Sequence, residues 1–329
     1  MMLQKKRLLN QSGWQIAWHQ YLPTLKKRNY YVVKDVSIGG DAPKDFIKVY
    51  EYGQTYRANR PKWVAYIAKV GHKWYPVESI TEYLMNRIGC VLGLDMAFSK
   101  LVIANEQIRF LSRYFLKKNE QLIHAAQIYA AFLNDKDGQF VETVEQQNLS
   151  RNLFTFQFAE LSLQHSFPNN WHPLLENLVK LLIFDAIVGN SDRHFYNWGV
   201  ISDIEGKALP RFTPIYDTAR GLFWNEKEAK IQQVFQDKRR IDAFLKKYVQ
   251  KSSPKTGWHD VENVNHFDLV KLLQENDTRF AAIYKNLLCI ENLNRINTLL
   301  EKEFRPLLSQ ARYDLIQRCI TLRFQLLLS

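Results

Sequence analysis

Three cysteines in 329 residues are too few for a disulfide framework. Cys90, Cys289 and Cys319 lie far apart on what read as apolar helix faces, and no spacing among them suits a zinc site. A reduced, cytoplasmic protein is the expectation. Long apolar runs are also missing. None approaches the roughly 18 residues of a membrane-spanning helix. The basic N-terminus is interrupted by Asn10, Gln11, Ser12, Gln15, His19 and Gln20 where a signal peptide would be continuously apolar. Internal repeats and low-complexity tracts do not occur, and neither do several catalytic signatures. There is no Gly-x-x-x-x-Gly-Lys-Ser/Thr loop: Gly199, Gly206 and Lys207 are wrongly spaced, and Ala208 stands where a hydroxyl is needed. No His-Glu-x-x-His or Gly-x-Ser-x-Gly pattern is present.

What the chain does have is enough apolar sequence, 46% of residues, for a large core or two lobes. It also has an uneven positive charge. Of the net +12, six charges come from Lys5, Lys6, Arg7, Lys26, Lys27 and Arg28, with no acidic residue in the first thirty positions. Residues 226–255 hold nine Lys/Arg against Glu226, Glu228, Asp237 and Asp242, which leaves a net +1 for the rest. The basicity is therefore local, and each patch needs its own explanation.

Strand-like alternation and β-branched runs occupy 31–36, 46–52, 63–70, 97–104 and 108–115. One helix breaks the series at 76–93, with apolar residues at 80, 84, 88, 91 and 92, Pro76 near its start and Gly93 at its end. Beyond 116 the period becomes helical almost throughout, as in 174–188, 241–249, 269–284 and from 290 onward. The exception is a strand-turn-strand at 197–201 and 211–216 around Asp203-Ile204-Glu205-Gly206. The expected fold class is α+β: a bilobal, protein-kinase-like layout with a small mixed β lobe containing one helix, and a larger, mainly helical lobe carrying a β hairpin. The expected divisions are a basic arm (1–30), a nucleotide-binding β lobe (31–115) and a helical catalytic and substrate lobe (116–329).

The most informative segment is Gly189-Asn190-Ser191-Asp192-Arg193-His194-Phe195-Tyr196-Asn197, at the end of an apolar helix. Asp192 and Asn197 stand five apart, the Asp-x-x-x-x-Asn spacing of a kinase catalytic loop. There the aspartate orients a substrate hydroxyl and the asparagine amide oxygen binds magnesium. Asp217, in Pro214-Ile215-Tyr216-Asp217, follows after a hairpin that can fold it back to share a metal with Asn197. Magnesium is a hard cation that takes oxygen ligands and neutralises charge on phosphate oxygens, so an amide and a carboxylate suit it. A single aspartate at a helix end is ordinarily a cap; three such groups flanking a hairpin form a constellation. His194 reads as a hydrogen-bonding residue that orients the loop.

The β lobe then offers the nucleotide-facing parts. Ser37-Ile38-Gly39-Gly40-Asp41-Ala42-Pro43-Lys44 separates two strand runs, and its paired glycines let backbone amides approach phosphates. Lys69 ends the Ala65-Tyr66-Ile67-Ala68-Lys69 strand, and Glu82, thirteen residues later on the next helix, can hold it as an ion pair.

These segments, with Glu78-Ser79-Ile80-Thr81-Glu82-Tyr83, resemble the HipA-like serine/threonine kinases, bacterial toxin kinases distantly similar to phosphoinositide kinases. The resemblance runs from about position 34 to the last helices. It implies that Asp192, Lys69 and His194 form the catalytic group, Asn197 and Asp217 hold Mg²⁺, and Ser37, Ile38, Gly39, Gly40, Lys44, Lys69 and Glu82 belong to the ATP site. Backbone near Ser112 and Tyr114 would meet adenine. Some members carry a regulatory, autophosphorylated serine where Gly39 stands here, so that switch depends on Ser37 replacing it. Longer members have about a hundred residues before the phosphate loop, and this chain has 36, as in the short forms whose missing subdomain is supplied by a separate partner or dispensed with.

The resulting expectation is an ATP- and Mg²⁺-dependent kinase acting on a Ser or Thr hydroxyl of a protein, with autophosphorylation and an antitoxin among its implied properties. The alternatives are a phosphoinositide or small-alcohol kinase, and a non-catalytic nucleotide-binding partner of a repressor or nucleic acid. The 226–255 patch follows Asp217, where kinases place their substrate-docking surface, and suits an acidic or RNA-associated protein substrate as well as a simply solvated face. Trp14, Trp18, Trp198 and Trp224 read as packing residues, and nucleic acid is expected to be met only indirectly. The location expected is the bacterial cytoplasm, with delivery into another cell as an effector left open.

Overall fold

A computed structural model of the chain describes residues 9–34, 36, 43–71 and 74–329. An antiparallel five-stranded sheet comes first: β1 (Tyr30–Val32), β2 (Lys44–Val49), β3 (Val64–Lys69), β4 (Ser99–Ala104) and β5 (Gln107–Arg113), in the order β1-β2-β3-β5-β4. Side chains alternate across its strands. Ile47, Tyr66, Val102 and Leu111 pack together on one face, while Leu101, Ile108 and Phe110 face the single helix α1 (Val77–Val91). Ile80, Leu84 and Ile88 of α1 recur at helical spacing and are fully buried.

The remainder is mainly helical. It contains β6 (Glu120–His124), α2 (Ala125–Phe132), α3 (Gln139–Gln146), α4 (Ser150–Leu153), α5 (Phe156–Ser166), α6 (Trp171–Val188), β7 (Gly199–Asp203) and β8 (Arg211–Phe212). These are followed by α7 (Glu228–Phe235), α8 (Lys238–Lys251), α9 (His266–Asn276), α10 (Ala281–Leu287), α11 (Ile290–Leu299) and α12 (Gln310–Leu328). The apolar helix α6 is the axis, packed among α5, α9, α10 and α12. Among the described residues no helix is long and apolar enough to cross a membrane.

The expected hairpin is present but has a third strand. Residues 120–124 pair with β7, so a three-stranded sheet β6-β7-β8 carries the site. Charged Glu120 and polar Gln121 and His124 mask that strand in the hydropathy pattern. Gly199 is required at this junction, because a Cβ there would lie 2.3 Å from the Ile123 carbonyl oxygen. The expected helix at 269–284 is two helices, since Asp277 turns to extended backbone and caps a short turn at Thr278–Phe280. Of the cysteines, Cys319 alone is buried; Cys289 is partly covered and Cys90 is exposed.

The N-terminal segment is built into the molecule from residue 10 onward. Ser12 is buried, the Trp14 indole N–H donates to the Leu307 carbonyl at 3.0 Å, and Thr24 bridges to Ile103 beside β4. Trp18 packs on the core and Trp198 lies within it.

Candidate active site

Helix α6 ends where Gly189 takes a left-handed conformation, φ +69°, which turns the chain out into the Asp192 loop. That loop is fixed from inside by an arginine to which the sequence reading gave no role. Arg193, 2% exposed, forms a two-pronged ion pair with Asp185 of α6, 1% exposed, at 2.9 and 3.1 Å. Its remaining nitrogen donates to the carbonyls of Asn197, at 2.9 Å, and Tyr216, at 2.7 Å. Asn190 donates to the same Asp185 carboxylate at 2.9 Å. One guanidinium thus joins the end of α6, the Asp192–Asn197 loop and the residue before Asp217. The available signal was a carboxylate inside an apolar helix, eight residues before an arginine.

Asn197 is buried, and its amide nitrogen donates to the Asp192 carbonyl at 2.9 Å. A ring nitrogen of His194 lies 3.1 Å from that same amide nitrogen. These contacts fix the amide plane and leave Oδ1, which no donor among the described residues takes. The other ring nitrogen of His194 lies 3.2 Å from the Tyr196 amide.

The strand β3 brings Lys69 to the same place, and helix α1 brings Glu82. The Lys69 ammonium lies 2.7 Å from Glu82 Oε1 and 2.9 Å from Asp217 Oδ1. Asp217 itself has φ +54°, a conformation L-residues seldom adopt, as do Leu222 and Phe223 just after it. Burial opposes the charge of Lys69, but the two carboxylates outweigh it and raise its pKa. Lys69 in turn lowers Asp217 to about 2. Glu82 is pushed upward, first by burial and then by the Asp217 charge, against the pull of Lys69. Two carboxylates share one lysine here, so with both ionised the trio carries a net negative charge, a setting that favours a further cation.

Asp192 faces this trio from the loop. Burial raises its pKa above the usual carboxylate range, with His194 and Arg220 pulling the other way. Arg220 lies 3.5 Å from its carboxylate, and the guanidinium sits over the Trp224 ring at 4.1 Å. Arg220 is a second residue that sequence reasoning missed. The segment carrying it is anchored from behind by fully buried Arg312 of α12. Arg312 pairs with Glu228 at 3.0 Å and donates to the carbonyls of Phe223 and Glu226.

Lys69, Glu82, Asp192, His194, Asn197, Asp217 and Arg220 line one cavity of about 600 Å³, a size suited to a nucleotide-sized ligand. Lys44, Lys69, Glu82, Asp192, Asn197 and Asp217 line its polar part, while Ile67, Phe115, Leu116 and Leu122 supply apolar walls. Ser112 and Tyr114 line it as well, but the Tyr114 N–H is spent on the Ala65 carbonyl at 3.0 Å and the Arg113 N–H on Phe98 at 2.8 Å. Ser37, Ile38, Gly39 and Gly40 lie outside the described residues.

Among the described residues no group of three His, Cys, Asp or Glu side chains is arranged to hold a metal alone. Asn197 and Asp217 fit a magnesium ion that takes its other oxygens from a ligand and water. The Lys69 ammonium holds Asp217 below the usual carboxylate range, and the Asn197 Oδ1 has no competing donor among the described residues.

A small antiparallel sheet with one helix, a larger helical part and a cleft lined by these groups define a protein of the bilobal, kinase-like class. The chain belongs to the HipA-like C-terminal domain family, whose model matches residues 36–282. Among solved structures it is similar to the Helicobacter pylori proinflammatory kinase CtkA, at 16% identity and TM-score 0.64, over 92% of this chain and 94% of that one. It is also similar to Shewanella oneidensis HipA, solved with HipB and operator DNA of its toxin–antitoxin system, at 16% identity and TM-score 0.50. That match covers 89% of this chain and 64% of the other. A search of curated proteins finds no match.

Proposed function

We propose that the chain is an ATP- and Mg²⁺-dependent protein kinase that transfers the γ-phosphoryl group of ATP to a Ser or Thr hydroxyl. The observation that carries this reading is Lys69 held between Glu82 and Asp217 in the cleft that also receives Asp192 and Asn197. Adenine would lie against Ile67, Phe115 and Leu122, and Lys69 and Lys44 would face the phosphates together with the 37–44 loop. Asn197 and Asp217 would hold magnesium, which when bound supplies charge neutralisation on the phosphate oxygens.

The chain's own residues supply position and electrostatics. Asp192 orients the acceptor hydroxyl. As its oxygen bonds to the γ-phosphorus and the bond to the β-phosphate oxygen breaks, the hydroxyl proton passes to the Asp192 carboxylate, and ADP leaves. The half-buried setting that raises the Asp192 pKa favours that acceptance. Lys69 stabilises the charge on the transferring group, while Arg193 and His194 hold the loop.

Transfer from labelled ATP tests the assignment. Asp192→Asn and Asp217→Asn should each lower incorporation at least about a hundredfold. Undiminished labelling by both variants would sink it. The protein acceptor is proposed to be acidic. Helix α8 buries Ile241, Leu245 and Val249 and turns Arg239, Lys246, Lys247 and Lys251 to solvent, downstream of Asp217. By analogy with the complex of HipA and HipB, a separate partner protein is a further proposal.

A further inference from the structure

Strand β3 delivers Lys69 to the cleft from one end; just before its other end, roughly 20 Å away at the usual rise of a strand, stands Trp63. Rings and cations collect there, and none of them lines the cleft. Tyr31 of β1 and Tyr50, just after β2, have their rings 5.9 and 5.7 Å from that of Trp63. The Arg60 guanidinium sits over Tyr31 at 4.9 Å and over Trp63 at 5.5 Å, and that of Arg57 over Tyr50 at 5.5 Å. Hydrogen bonds hold the 50–63 loop against the strands. The Tyr31 hydroxyl donates to the Arg60 carbonyl at 3.2 Å, Arg57 donates to Asn29 Oδ1 at 2.8 Å, and the Lys48 ammonium donates to the Pro61 carbonyl. The Trp63 indole N–H donates to the Tyr56 carbonyl at 3.2 Å, which keeps residue 56 at the cluster. Tyr52 and Tyr56 of this loop, 92% and 85% exposed, carry the two most exposed aromatic rings among the described residues.

The charge of this surface has one sign. Residues 26–34 and 48–63 hold eight Lys/Arg and a single acidic residue, Glu51. That carboxylate is already taken by Lys100 at 2.6 Å and by the Tyr66 hydroxyl at 3.0 Å. Lys27, Arg28, Arg57, Arg60 and Lys62 are exposed. Cations alone suit any polyanion, but bare tyrosine rings and guanidinium groups seated among rings add stacking surface for unpaired bases. A duplex keeps its base faces stacked inside, and an acidic protein has no bases. We infer that this surface binds single-stranded RNA, with phosphates on Arg57, Arg60, Lys62 and Arg28 and bases stacked on Tyr52 and Tyr56. RNA is the polynucleotide that cells hold mainly as single strands. The inference does not depend on phosphoryl transfer. It departs from the expectation that nucleic acid is met only indirectly, because strand pairing and one loop assemble a surface from residues that are scattered in the chain.

Fluorescence anisotropy of a labelled 12-nucleotide oligouridylate, titrated with the full chain, tests the inference. The Kd should be about 1–100 μM at 0.1 M salt and should rise steeply with salt. Tyr52→Ala combined with Tyr56→Ala should weaken binding at least about tenfold without altering the salt slope, and the corresponding phenylalanine pair should bind as the wild type does. Arg57→Gln combined with Arg60→Gln should weaken binding and make the log–log salt slope shallower by about 1.4, or about 0.7 for each charge removed. Lys271→Gln with Lys285→Gln, exposed positions on α9 and α10, should leave the affinity within about threefold. Wild-type affinity in the tyrosine or the arginine pair would overturn the inference, as would an equal loss in the α9 and α10 pair or no binding below about 1 mM. Equally tight binding of a 12-base-pair duplex would overturn it too, and polyglutamate competing as well as unlabelled oligouridylate would mark a surface for acidic protein instead. If the arginine pair fails to fold, the tyrosine pair, which changes only exposed rings, decides alone. Tighter binding of a 12-nucleotide oligothymidylate, lost in the same variants, would keep the surface and overturn the preference for RNA.

Discussion

Lys69 is where the charges of the cleft converge, and its two partners respond to pH in opposite directions. Asp217 is held at about 2, below its usual 3.8, so its ionised form adds stability. That contribution is fully present above about pH 4 and is lost as the pH falls toward 2. Glu82 is raised, so it favours the fold when protonated and loses that contribution as the pH rises through its folded pKa. Asp217→Asn should accordingly be less stable than the wild type near neutrality, with the difference shrinking between about pH 4 and 2. Urea unfolding at a series of pH values checks this; a difference that grows on acidification would contradict the Lys69–Asp217 pairing. At this scale the spacing of Asp192, Asn197 and Asp217, and of Lys69 and Glu82, was readable in the chain, because kinase-like spacing is a local property. Arg220 and Arg312 were not readable. Each acts across a distance in sequence that only the fold closes: 28 residues from Arg220 to Asp192, and 84 from Arg312 to Glu228.

Among the elements, α12 has a task beyond packing. Its Arg312 is fully buried against Glu228 and two carbonyls of the segment that follows Asp217. Removing one partner of such a pair strands the other, so Arg312→Met should cost about 3–5 kcal/mol, measured as a shift in denaturant midpoint. Replacing both Arg312 and Glu228 by apolar residues should recover much of that loss; failure to recover would mean that the carbonyl bonds matter more than the ion pair. Helix α8 is amphipathic in the ordinary way. Lys246→Glu with Lys247→Glu and Lys251→Glu should raise KM for an acidic protein substrate by about tenfold while kcat changes little. An unchanged KM would remove α8 from the docking surface. Long apolar helices such as α1 and α6 were legible from period alone. Strand β6 was not, because its side chains are mostly polar and its place is set by pairing with β7.

At the scale of the molecule, the sheet and the helical part are tied together at several points. Met96 bridges to Ile215, Arg87 of α1 grips Glu303 with two hydrogen bonds, and the N-terminal segment crosses from Glu228 and Leu307 to Ile103. In the sequence that segment is marked only by its basic residues. The residues that seat it, Ser12, Trp14 and Thr24, are uncharged and too scattered to form a period. Trp14→Ala gives up an indole hydrogen bond and part of an aromatic surface, and should cost about 2 kcal/mol. A denaturant midpoint equal to that of the wild type would show that the segment does not brace the molecule. A different consequence follows from Arg193. Because one buried guanidinium serves the Asp185 carboxylate and the carbonyls of Asn197 and Tyr216, displacement of either segment gives up a charge-assisted hydrogen bond to the same side chain. The two proposed magnesium-holding segments are therefore coupled through one side chain, and Arg193→Met should loosen both together, read as joint loss of amide protection in the 192–197 and 216–217 backbone on hydrogen exchange.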